Sequence, residues 1–245
     1  LSTTFSGVLT GYYGGSGYFR KVGTGTLTIA GNVTNGLAVS FQLADGRVLL
    51  NEDGRIPSAT PMAYPGTVLE IDNTTTENTD RLPSRWSVYG GEIVFRGNTA
   101  QDSWLINGSG MNLGQPGNPT VTIIPGGTRT ATLRQGHNNS TFDIESGSAV
   151  LIRGDDLGGQ ARLQANASFA ATTITRHFIG GAGESDAEAG TPRVSIMRHC
   201  VGDTSSTGNG VGFLTYDRGP DNTQNTNDPG FRLLTDSEYG ATIAD

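Results

Sequence analysis

Apolar residues along this chain come in short groups of three to five, alternating or nearly continuous, each bounded by Gly, Asn, Asp or Pro. That is the pattern of short strands separated by tight turns. It predicts strands at Thr26–Ile29, Arg47–Leu50, Thr67–Ile71, Glu92–Phe95, Thr120–Ile124, Ala131–Leu133, Ser140–Ile144 and Ala149–Ile152. Helical periodicity is nearly missing; the two stretches that fit a short helix are Leu37–Leu43 and Ser237–Ile243.

The spacing carries more than the strands do. Leu27 to Leu49 is 22 residues, Leu49 to Leu69 is 20, and Leu69 to Val94 is 25. A recurrence of roughly 20–28 residues between equivalent strands is one coil of a parallel β-helix, whereas a sandwich places strands about every 8–12. The turn phrases Ala44-Asp-Gly46, Tyr64-Pro-Gly66, Tyr89-Gly-Gly91 and Ile124-Pro-Gly-Gly127 put glycine at corners that need positive φ. From Val121 to Ile152 the rhythm tightens, with Thr122, Thr132, Phe142 and Leu151 about ten apart. This fits either three faces of successive coils or a local antiparallel meander. After Gly154 the pattern loosens, and the polar stretches Gly180–Gly190 and Asp217–Asp228 read as loops projecting from one side.

Composition agrees with a thin, repeated core. Gly (37) and Pro (10) are abundant, 34% of residues are hydrophobic and 16% charged. That is too few charges for a typical disordered tail and too little apolar surface for one thick core. The expected fold is therefore all-β, a right-handed parallel β-helix with long polar loops in its C-terminal third. Residues 1–153 form regular coils and 154–245 continue the same unit. At ~22 residues per coil and ~4.8 Å per rung the axis would be about 50 Å long.

A net charge of −7 with scattered cations argues against nucleic acid and against an anionic membrane surface. No run approaches the ~20 apolar residues of a membrane span, and Leu1–Gly7 carries no signal-peptide pattern. The sole cysteine, Cys200, excludes an internal disulfide. Read on a strand, it points away from His199 and is buried and inert.

The segments Phe5-Ser-Gly-Val-Leu-Thr-Gly11 and Phe19-Arg-Lys-Val-Gly-Thr-Gly-Thr-Leu-Thr-Ile-Ala-Gly-Asn32 resemble the autotransporter-associated β-strand repeat. Lys21, Gly23, Gly25, Thr26, Leu27, Thr28, Gly31 and Asn32 match in register; Val33-Thr-Asn-Gly36 replaces the usual continuation. Phrases such as Gly54–Thr60, Asp80–Pro83, Val150–Gly158, Gly212–Tyr216 and Phe231–Tyr239 are similar to those of large planctomycete-like surface proteins carrying this repeat. The resemblance implies export to the cell surface or beyond and a passenger-type β-helix. It carries no catalytic residues.

Enzymatic chemistry finds little support. Glycoside hydrolysis needs two carboxylates roughly 5–9.5 Å apart. Asp80 and Asp155 are 75 residues apart, about three coils or roughly 14 Å of axis, and His137 precedes the Asp155-Asp156 pair. Those aspartates read as turn caps. Asn51–Gly54 and the Asp217, Asp221, Asp228 set offer oxygen ligands without a Ca²⁺-loop spacing, and His137, His177 and His199 lack zinc spacing. No catalytic, cofactor or metal residue is assigned. Glycosylation sequons stand at Asn32, Asn73, Asn107, Asn138, Asn139 and Asn166.

Tyr12, Tyr13, Tyr18 and Phe19 cluster among glycines as a self-association or glycan-contact patch, or as packing at the end of the solenoid. The leading functional expectation is a structural segment of an extracellular or surface protein, partnered by further copies or repeats of itself. A carbohydrate-binding adhesin that contacts extracellular polysaccharide is the second, and a polysaccharide hydrolase or lyase the third. Neither terminus shows a capping helix, a charged edge or prolines. The ends are therefore expected to be covered head to tail, in a fibre.

Overall fold

The structure, a computed structural model, describes residues 2–7, 18–31, 40–56, 60–83, 85–107, 110–113, 117–135, 141–143, 148–165, 178–179, 194–219 and 227–239. These residues are all-β, with no helix among them. In chain order the strands are β1 (Thr3–Phe5), β2 (Tyr18–Lys21), β3 (Thr26–Ile29), β4 (Ser40–Leu43), β5 (Arg47–Leu50), β6 (Thr60–Ala63) and β7 (Val68–Asp72). There follow β8 (Arg85–Val88), β9 (Glu92–Arg96), β10 (Ser103–Asn107), β11 (Gly110–Asn112), β12 (Thr120–Ile124), β13 (Ala131–Gln135) and β14 (Thr141–Asp143). The last seven are β15 (Val150–Gly154), β16 (Ala161–Gln164), β17 (Phe178–Ile179), β18 (Ile196–Met197), β19 (Cys200–Asp203), β20 (Gly212–Asp217) and β21 (Gly230–Leu233).

All eight strands expected from the apolar pattern are present, within one or two residues at their ends. They stack as a solenoid. A long sheet runs β1-β3-β5-β7-β9-β12-β15-β19-β20-β21, a second β14-β11-β8-β6-β4-β2, and a third β10-β13-β16. Pairing is parallel throughout the second and third sheets, and from β1 to β19 in the long one. The tight rhythm from Val121 to Ile152 is resolved as successive faces. β12 lies in the long sheet, β13 in the third, β14 in the second, and β15 back in the long sheet.

The core is a set of columns. On the long sheet Leu27, Val48, Leu69, Ile93, Val121 and Ile152 stand in register, beside Ile29, Leu50, Ile71, Phe95 and Ile123. Phe41, Leu43, Trp86, Val88 and Met111 of the second sheet close the same cluster. The register differs by one residue from the sequence expectation: Val48 pairs with Leu27, and Ile93 with Leu69, so Leu49 and Val94 face outward. A one-residue slip exchanges the two faces of a strand.

Corner chemistry follows the expected glycines. Gly46, Gly66, Gly90 and Gly127 hold positive φ, and Tyr64 stacks on Tyr89 of the next coil at 5.3 Å between ring centres. At the opposite corner the fit is closer. A β-carbon built on Gly54 would lie 1.8 Å from the carbonyl oxygen of Ile29.

The helix expected at Leu37–Leu43 is corrected over its described part, since Ser40–Leu43 is β4. Phe41 and Leu43 turn inward on a period of two, and β4 is paired on both sides, by β2 and β6. These pairings override a weak local preference. Of Ser237–Ile243, Ser237 and Glu238 form a turn held by Glu238 N donating to Thr235 O, and 240–243 lie outside the described residues.

Beyond β19 the parallel stacking expected for residues 154–245 gives way to an antiparallel meander. β19–β20 and β20–β21 are antiparallel. Tyr216 of β20 reaches the last coil, where its hydroxyl accepts from Ala165 N at 2.9 Å and donates to Ala165 O at 3.1 Å. Burial pushes that hydroxyl well above the usual tyrosine range, despite its bond to Ala165. Phe231 of β21 meets Tyr216 edge-on at 4.8 Å. Gln164 Nε2 donates to Asp228 O at 2.7 Å. Both backbone groups of Ala165 are thus satisfied by one side chain. At the other end the edge strand β2 carries an exposed cation, Arg20.

Candidate functional surfaces

The long sheet holds its charges in a ladder on its outer face. Glu70, 5% exposed at its side chain, lies between an arginine of the coil before and one of the coil after. Arg96 Nε donates to Glu70 Oε1 at 2.5 Å; Arg47 Nη1 stands 2.6 Å from Oε2, close in distance without the alignment of a hydrogen bond. Two coils on, Arg153 donates from Nε to Thr122 Oγ1 (2.8 Å), from Nη2 to Glu92 Oε1 (2.8 Å) and from Nη1 to Gly208 O (2.8 Å). Thr122 Oγ1 also donates to Glu92 Oε1. Glu70→Gln is expected to cost about 1–2 kcal/mol, since its buried carboxylate faces two half-exposed arginines. Urea unfolding at low and high salt measures this, and the gap should narrow as salt rises.

A second polar centre lies where the third face begins. Arg81, fully buried, donates from Nε to Asn73 Oδ1 (2.5 Å), from Nη1 to Gly54 O (2.7 Å) and from Nη2 to Thr76 O (3.0 Å). Burial holds its guanidinium below the ordinary arginine value, with Asp72, Glu77 and Asp53 pulling the other way. Asn73 Nδ2 donates to Glu77 Oε1. Glu77 in turn accepts from Ser103 Oγ (2.5 Å) and Trp104 N (3.1 Å) of β10. This carboxylate therefore closes the free edge of the third sheet. Asn98 Nδ2 continues the stack to Asn73 O at 2.8 Å. The sequon asparagine Asn73 is thus sequestered inside a network. None of this was visible in the sequence, where an arginine in a polar loop reads as solvated.

The aromatic cluster divides. Tyr18 is 63% exposed, whereas Phe19 turns inward and stacks on Phe41 at 5.0 Å. Phe19 thus packs on Phe41 of the next coil while Tyr18 points out, because adjacent strand residues face opposite sides. Tyr12 and Tyr13 lie outside the described residues.

The acidic candidates do not converge. Asp80 pairs with Arg55 at 3.4 Å. Asp155 Oδ1 accepts from Ser206 N at 2.7 Å. Asp156, at φ 62, accepts from Gln160 N through Oδ2 at 2.9 Å. Asp217 Oδ2 accepts from Arg232 Nε at 2.7 Å. His137, His177 and Asp221 lie outside the described residues. Among the described residues no three His, Cys, Asp or Glu side chains gather as a metal ion requires. Cys200 opens β19 buried, its thiol pushed well up by desolvation. His199 stands in the preceding turn at φ 59 rather than on the strand, which corrects the reasoning that separated the two by strand alternation.

The class these features define is an all-β, solenoid-like chain in which Arg47, Glu70, Arg96, Glu92, Arg153 and Arg81 bridge successive coils. No family model, curated protein or solved structure matches it.

Proposed function

We propose that this chain is a structural segment of an exported bacterial surface protein: a right-handed parallel β-helix, with polar loops projecting from its C-terminal third, that assembles through its ends. The observation that carries the reading is the spending of polar groups on stacking. Arg47, Glu70, Arg96, Glu92 and Arg153 bridge successive coils, and Arg81, Asn73 and Asn98 do the same at the corner. A catalytic surface would hold such groups ready for a substrate. Right-handedness is the rule for parallel crossovers. The resemblance of Phe5–Asn32 to autotransporter-associated repeats supports export. Light scattering at neutral pH over a concentration series tests the reading, together with negative-stain imaging. Association along the solenoid axis is expected. A monodisperse monomer at high concentration overturns it.

A further inference from the structure

The sequence holds a single Asp-Pro bond, Asp228-Pro229, in the turn that leads into β21. An aspartyl carboxyl reaches the carbonyl carbon of its own residue through a five-membered ring. Proline's nitrogen, a tertiary amide without N–H, leaves as a basic amine. Two glycines clamp this turn. Gly230 holds φ +72, and a β-carbon there would collide with the carbonyl oxygen of Leu163 in β16. Gly219 holds φ +77, and a β-carbon there would collide with Asp228 Oδ1. Asp228 is 4% exposed, its carboxyl packed on the Gly219 backbone. Its peptide carbonyl faces β16 instead, where the buried Gln164 donates from Nε2 to Asp228 O at 2.7 Å. The oxygen that would gain negative charge during attack thus already meets a fixed donor in a buried setting. Burial lowers the guanidinium of Arg162, two residues before Gln164, while the carboxylates of Asp102, Asp228 and Asp156 hold it up. A cation therefore stands within electrostatic reach of the developing charge.

We propose that Asp228-Pro229 is a self-cleavage site, with Asp228 as the nucleophile and Gln164 as the oxyanion donor. The Asp228 carboxyl oxygen attacks the Asp228 carbonyl carbon, and the tetrahedral oxyanion keeps the Gln164 hydrogen bond. The carboxyl proton passes to the Pro229 nitrogen, the C–N bond breaks, and a cyclic anhydride remains on Asp228. Water then opens the anhydride. Asp228 becomes a C-terminal residue with two carboxyl groups, and Pro229 a new N-terminus. One water is consumed, and no oxidant, reductant or cofactor takes part. The fold supplies what a free chain lacks, a donor already placed on the scissile carbonyl. The cut leaves both pieces together. β21 stays paired to β20 from Leu214 with Leu233 to Asp217 with Gly230, and Arg232 donates to Asp217 and Glu238. The product is a nicked chain of unchanged shape, formed whether or not copies associate.

Intact-mass spectrometry of the purified full chain, followed over days at neutral and mildly acidic pH, tests this. Fragments 1–228 and 229–245 should accumulate, the shorter one beginning Pro229-Gly230-Phe231 on N-terminal sequencing. They should co-elute on gel filtration and separate in urea. Cleavage should run at least about ten-fold faster in the folded chain than in urea at the same pH, because only the fold places the donor. Gln164→Met keeps the side chain's length and removes the donor; it should slow the cut by about ten-fold or more with circular dichroism unchanged. Asp228→Glu, whose ring would be one atom larger, should leave the chain whole, and so should Pro229→Ala. A wild-type chain that keeps its intact mass overturns the proposal. So do equal rates in folded and unfolded chain, a cut at another bond, or full speed in folded Gln164→Met.

Discussion

Replacing Arg81 by alanine is expected to lower stability by about 3 kcal/mol or more, because two buried acceptors and a part-buried one lose their donor at once. Asn73 Oδ1, Gly54 O and Thr76 O all point at one guanidinium, and those three oxygens belong to two different coils. The substitution therefore removes a crosslink between coils as well as hydrogen bonds. Arg81→Lys should recover little of the loss. A single ammonium does not reproduce the planar fork that spans Asn73, Gly54 and Thr76. Urea unfolding followed by circular dichroism measures both variants. A loss below about 1 kcal/mol for Arg81→Ala would show that water or backbone movement satisfies the orphaned oxygens.

Gly54→Ala is expected to be at least as damaging, and for a different reason. The added carbon would sit 1.8 Å from Ile29 O and 2.7 Å from Asn51 O, both backbone atoms of the stack. Side chains yield to such an intrusion, but a hydrogen-bonded corner yields only by opening. The coil carrying Ile56 and the coil below it would have to separate. The cost should be several kcal/mol, at the upper end of single-residue effects. Gly23→Ala provides the contrast. Its φ is +78 with nothing within 4 Å of the added carbon, so only the conformational penalty of about 1–2 kcal/mol applies. Thermal unfolding of the two variants side by side separates the effects. Equal losses would mean that the Gly54 corner relaxes freely.

These positions show what the sequence made legible. The long sheet was readable from β3 to β15 because those strands are rich in Val, Leu and Ile and are punctuated by turn glycines, as in Arg47–Leu50 and Thr120–Ile124. Its register was not. Leu49 and Val94 face outward yet are apolar, and Val94 is buried even so. With apolar residues on both faces, parity along the strand loses its meaning. Of the second sheet only β14 was anticipated, because its other strands look unlike strands. Thr60-Pro-Met-Ala63 carries a proline that gives up a ladder donor, and Arg85-Trp-Ser-Val88 puts polar residues on its outer side. The aromatic cluster divides at Tyr18 and Phe19, a division that strand alternation implies once β2 is recognised. Arg81 belongs to another category. Its partners are carbonyls of Gly54 and Thr76 and the side chain of Asn73, and only the fold brings them together.

The pairing distances along the long sheet bear on how this chain acquires its shape. Leu27 meets Val48, and Val48 meets Leu69, each across 21 residues, while Ile152 meets Gly202 across 50. Closing a loop costs more entropy as it lengthens, so early coils form with the least delay. Solenoids also propagate from whichever coil forms first, each new one docking on the last. The rungs from β3 to β7, which close the shortest loops, are thus expected to form before the pairing of β15 with β19. For a chain emerging from its N-terminus, that order matches the direction of synthesis. Each completed coil becomes a template that protects the next from off-pathway strand pairing.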